Sequence, residues 1–137
     1  MSWEVFEPEN RNVVIKNKPS VSINVKGRII LNTLLCEAIP NFPFCQVLID
    51  DDEKKLGIKF FNEMPAKSDG VINITDNSRK RGRLITAGGL GLRLKLKDRS
   101  MMKISGDAVF YDESKRMVIV DLKQAMVSKS TFKIKVA

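Results

Sequence analysis

The stretch "SVSINV", residues 20–25, sets Val21, Ile23 and Val25 against polar neighbours, a period of two that predicts a strand with one buried face. Lys26-Gly27 predicts a tight turn into a second strand, Arg28–Leu31. Asn32 is a good helix cap, and Leu34, Leu35, Ala38 and Ile39 share one helical face. Pro40 then stops the helix after roughly two turns. "CQVLIDDDEKKLGIKFF" reads as a hairpin, with Val47–Ile49 apolar, a turn over Asp50–Lys55, and Leu56, Ile58 and Phe60 alternating. The predicted order is strand, strand, helix, strand, strand.

The second half restates these phrases. Lys26-Gly27-Arg28-Ile29-Ile30 returns as Arg81-Gly82-Arg83-Leu84-Ile85, 55 positions on (Gly82 against Gly27). "AVFYDESKRMVIVDL" lies over "VLIDDDEKKLGIKF" with Asp51 on Asp112, Lys54 on Lys115, Lys55 on Arg116 and Leu56 on Met117, an offset of 61. The second copy therefore carries six extra residues between its motifs. Val71, Ile72 and Ile74 would supply its first strand, after a turn marked by Pro65, Ser68, Asp69 and Gly70. Over residues 87–99 two readings stay open. Leu90, Leu92, Leu94 and Leu96 have the period of a strand, whereas the repeat asks for a helix, one degraded by Gly88, Gly89 and Gly91. "WEVF", "NVVIK" and "TFKIKV" read as extra edge strands.

The fold expected is thus α+β and strand-rich. Residues 1–137 form a single domain of two tandem β-β-α-β-β units, about 20–60 and 75–122, packed about a pseudo-two-fold axis. Neither half is long enough to bury a core alone. No apolar run approaches the ~18–20 residues of a membrane helix. The acidic start "MSWEVFEPEN" is unlike a signal peptide, so a cytoplasmic location is expected. Cys36 and Cys45 then read as buried small hydrophobes, with a disulfide needing an oxidising setting.

Charge sharpens this picture. The chain carries a net +8, and 15 of its 24 Lys/Arg but only 7 of its 16 Asp/Glu fall in residues 69–137. Residues 1–68 are neutral, with nine of each sign. Such asymmetry points to a polyanion, nucleic acid before an anionic membrane surface. "SRKRGR" gathers Arg79, Lys80, Arg81 and Arg83, enough to neutralise several phosphates, with a glycine that lets backbone approach them. A solvated loop accounts for the same residues as well. Arg93, Lys95, Lys97 and Arg99 would line one face of a strand but would spread round a helix. Lys54-Lys55 and Lys115-Arg116 sit at hairpin tips, where charge is ordinary.

No catalytic signature is present. The chain has no histidine, which removes histidine-based triads and acid–base chemistry. "GGLGLR" lacks the spacing of a dinucleotide or Walker loop. "DDDE", Asp50–Glu53, lacks the spacing and glycine of a calcium loop and reads as a turn. No metal, cofactor or enzymatic activity is expected.

Strand, Lys-Gly-Arg turn, aliphatic strand, short helix and hairpin together resemble the AbrB family of swapped-hairpin DNA-binding proteins. The duplication resembles the related MraZ family, which carries two such units. Asn32 and Ala87 stand where those families usually place a proline. The resemblance implies a homo-oligomeric DNA-binding protein that uses basic residues near its strand-to-helix junctions. Those residues would be Lys26, Arg28 and the Arg79–Arg83 cluster. The function expected is therefore a non-enzymatic nucleic-acid binder acting as a small DNA-binding transcription regulator. The alternatives are a single-strand binder broadly like the Whirly proteins, against which the few aromatics argue, or a structural, protein-interaction module with a basic face.

Overall fold

The computed structural model describes residues 18–66, 70–76 and 82–129. Strands β1 (Ser20–Asn24) and β2 (Arg28–Leu31) form the first hairpin, and helix α1 (Thr33–Glu37) follows. Asn32 caps it as expected. Its side-chain oxygen accepts from Leu35 N at 2.9 Å and from Ser20 N at 3.1 Å, while its amide donates to the Lys18 carbonyl at 2.8 Å. One side chain thus ties helix start to strand start. Strands β3 (Phe44–Asp50) and β4 (Lys55–Phe61) make the second hairpin.

Strands β5 (Val71–Asp76) and β6 (Arg83–Thr86) come next, then the four-residue helix α2 (Leu90–Arg93). Strand β7 (Ser100–Ser105), the hairpin β8 (Val109–Asp112) and β9 (Met117–Asp121), and β10 (Met126–Lys129) complete the described chain.

All ten strands belong to one antiparallel sheet, ordered β10-β7-β1-β2-β6-β5-β3-β4-β9-β8. It curls into a half-barrel. Strand β5 is its corner: Val71–Asn73 pair with β3, and Ile74–Asp76 pair with β6. The concave side holds the core, where Val21, Ile23, Ile29, Ile85 and Ile104 from one wing meet Leu56, Ile58, Val118 and Val120 from the other, all at 0% exposure. Each such side chain contributes about 1.5–3 kcal/mol by leaving water.

The expected α+β arrangement of two tandem β-β-α-β-β units is not what forms. Strands make up 50% and helices 15% of the structure, and the α-helices have only five and four residues, too short to build a layer. The first half does run strand, strand, helix, strand, strand. The second departs because residues 94–99 are coil, β7 pairs along β1, and β10 adds an edge beyond it. Neither β7 nor β10 has a counterpart motif in the first half.

Residues 87–99 are therefore neither a full helix nor a strand. After α2 the chain turns through Lys95 (φ 60°) and Arg99 (φ 62°), left-handed conformations that break both periodicities. Leu90 and Leu96 go into the core while Leu92 is 78% exposed. The segments "WEVF", "NVVIK" and "TFKIKV" lie outside the described residues.

Two alignments also shift by one residue. Ile29 pairs with Ile85 and Leu31 with Arg83, so these four share the inward face. Matching Arg28 to Arg83 would equate inward Ile29 with Leu84, which points the other way; a one-residue slip exchanges faces in a strand. The hairpins match at 62, not 61 (Asp112 against Asp50). Each loop has four residues, and its last, Lys54 (φ 56°) or Arg116 (φ 52°), is left-handed. Asp50 Oδ1 accepts from Glu53 N, and Asp112 Oδ1 from Ser114 N and Lys115 N. "DDDE" is thus a hydrogen-bonded hairpin turn.

Candidate nucleic-acid interface

The β1–β2 turn is built by Asn24, whose side-chain oxygen accepts from Lys26 N at 3.0 Å and Arg28 N at 2.9 Å. Gly27 (φ 85°) has no room for a side chain, because a Cβ would lie 2.0 Å from the Ala87 carbonyl oxygen. Ala87 N in turn donates to the Gly27 carbonyl at 2.8 Å. On the other side of the turn, Gly91 sits so close that a Cβ would be 2.0 Å from Val25 O. Met101, at the start of β7, pairs with Asn24.

These contacts gather two basic segments and a bare glycine pair at one end of the sheet. Lys26 and Arg28 project from the turn and are exposed. Gly88 and Gly89 lie beside them, with open space where a Cβ would go. Lys95, Lys97 and Arg99 lie on the coil that returns to β7, with Asp98 the acidic residue among them. The result is a cationic rim with bare backbone at its centre. Lys26 and Arg28 were legible from the motif; that Lys95–Arg99 would join them was not, since the link runs through Gly91 packing under Val25.

Arg93 belongs elsewhere. Its guanidinium pairs with Asp51 at the β3–β4 tip, which holds the Asp51 carboxyl below its ordinary value. This pair spans a cleft of about 250 Å³ floored by Ile49, Met102 and Leu122.

Arg83 turns inward. Its side chain is 17% exposed, donates to Phe42 O at 2.5 Å and Ile74 O at 3.3 Å, and its Nε lies 3.4 Å from Asp76 Oδ1. That Nε makes an ion-pair contact without a well-formed hydrogen bond. It lines a cleft of about 260 Å³ with Leu31, Cys36, Ile39 and Phe60. Burial raises the Cys36 thiol, with Arg83 pulling it partly back down, so the thiol there is not activated. Arg79, Lys80 and Arg81 lie outside the described residues. The hairpin-tip residues Lys54, Lys55, Lys115 and Arg116 are exposed, and Lys54 lines the Asp51 cleft together with Lys95.

Both cysteines are free thiols. Among the described residues, no group of three His, Cys, Asp or Glu side chains is placed to hold a metal, and no helix is long and apolar enough to cross a membrane. No family model, curated protein or solved structure matches the chain.

Proposed function

We propose that this chain is a non-enzymatic nucleic-acid-binding protein, with duplex DNA its first candidate ligand, as in a small transcription regulator. The observation that carries the reading is the rim of Lys26, Arg28, Lys95, Lys97 and Arg99 around the uncovered backbone of Gly88-Gly89. Cations around uncovered N–H groups are what a phosphate backbone requires, because charge supplies affinity and glycine permits close approach. The net +8 points the same way, as does the motif's resemblance to AbrB and MraZ proteins.

The test is a salt titration of binding to generic duplex and single-stranded DNA by fluorescence anisotropy. Replacing Lys26, Arg28 and Arg99 together with alanine should flatten the log-affinity versus log-salt slope by roughly 0.7–0.9 per lost phosphate contact. A second variant replaces Arg79, Lys80 and Arg81. Lys115→Ala/Arg116→Ala is the control, expected to change the slope least. Absence of binding by the wild-type protein at low salt overturns the reading.

A further inference from the structure

The outer face of strands β3, β4, β9 and β8 carries apolar residues where a solvated sheet would carry polar ones. Leu48 pairs with Gly57, Gly57 with Ile119, and Ile119 with Phe110, forming one row across all four strands. Leu48 is 42% and Phe110 57% exposed. Met117 closes the row, its sulfur 3.1 Å from where a Gly57 Cβ would stand. We infer that this face binds a second copy of the same chain, sheet against sheet, about a two-fold axis running along the seam between β4 and β9.

The row is nearly symmetric about that seam. At the hairpin offset of 62 (Phe110 against Leu48), these two residues are equivalent positions at its two ends. A copy turned about the seam therefore lays Leu48 on Phe110 and Phe110 on Leu48, apolar against apolar throughout. Such an isologous contact is the commonest way for one surface to recognise itself, and aligned sheets pack about 10 Å apart.

Charge selects the axis. Above the row, Lys55 pairs in register with Asp121, and below it Lys59 pairs with Met117. An axis along the seam sets Lys55 over Asp121 of the second copy, twice. An axis across the strands would set Lys55 over Lys59 of the second copy, twice, and is rejected by repulsion. The surface thus prescribes both partner and orientation.

Sedimentation velocity over a concentration series tests this. The wild-type chain should form dimers, and Phe110→Lys, at a solvent-facing position, should give monomers with an unchanged circular-dichroism spectrum. Lys55→Asp and Asp121→Lys should each weaken self-association about tenfold or more, the scale of close interfacial charge pairs. Mixing the two single variants should restore dimers. Only in the mixed dimer does each substituted position face its opposite charge, while the unsubstituted Asp121 of one copy faces the unsubstituted Lys55 of the other. Within each variant chain positions 55 and 121 carry like charges, so intramolecular repair cannot produce that rescue. A monomeric wild type, a dimer indifferent to Phe110→Lys, or failure of the mixture to associate overturns the proposal. DNA binding is read separately, so either result stands without the other.

Discussion

Arg28 and Arg83 hold the same place in the two Gly-Arg motifs yet face opposite sides of adjacent strands, Arg28 toward solvent and Arg83 toward the core. The difference arises because Leu31, not Arg28, is the residue level with Arg83. Replacing Arg83 with alanine removes the donors to Phe42 O and Ile74 O, and should cost about 1.5–3 kcal/mol in urea unfolding, as for hydrogen bonds to a charged group. Arg28→Ala should stay within about 0.5 kcal/mol of wild type. Equal effects would contradict the assignment of faces.

The glycines of residues 88–91 separate in the same way. Gly91→Ala drives a methyl to within 2.0 Å of Val25 O, and overpacking of this kind costs about 1–3 kcal/mol. Gly88→Ala meets open space and should be neutral or stabilise by about 0.4–1 kcal/mol through the unfolded chain. Thermal melts of the two variants should move apart, with Gly91→Ala lower.

How far this was readable from sequence follows from where period and structure agree. β1 and β2 were visible because Val21, Ile23, Ile29 and Leu31 alternate and all are buried, and α1 because Asn32 is a cap with few other uses. Residues 87–99 were opaque. Their leucines alternate, but left-handed Lys95 and Arg99 redirect the chain, and positive φ at a long basic residue has no sequence signature. The cationic rim was half legible. Its charges were evident, but that Lys95–Arg99 join Lys26 and Arg28 depended on Gly91 packing against Val25, and Arg83 dropped out of it through its pairing with Leu31, far away in sequence.

Asn32→Ala should reveal how much one junction holds. It removes the helix cap together with the Ser20 and Lys18 contacts, and a loss of about 1–2 kcal/mol is expected. Asn32→Asp keeps the accepting oxygen but not the donor to Lys18 O. Its unfolding midpoint should fall between those of wild type and Asn32→Ala.

Alkali should weaken the fold through Cys45. Burial pushes its thiol up to about 12 from an ordinary 9.0, with Arg83 opposing. The unfolded chain then releases this proton first, so stability is full below 9.0 and falls as pH rises toward 12. The slope reaches at most about 1.4 kcal/mol per pH unit. Urea midpoints at about pH 8 and about pH 10.5, on either side of the unfolded thiol's titration, should differ more for wild type than for Cys45→Ala. Native Cys45 should also react with a disulfide reagent far more slowly than the same thiol in the unfolded chain at mildly alkaline pH.

The corner strand β5 has a consequence in time. Among the described residues, 71–76 alone join the two wings by ladder hydrogen bonds, while β1 waits for β7 and β4 for β9. The N-terminal strands of both wings thus remain half-paired until the last third of the chain has been made. Such long-range pairing places folding in the slow, millisecond-to-second class. During synthesis the unpaired edges of β1 and β4 are the surfaces that a chaperone would have to shield.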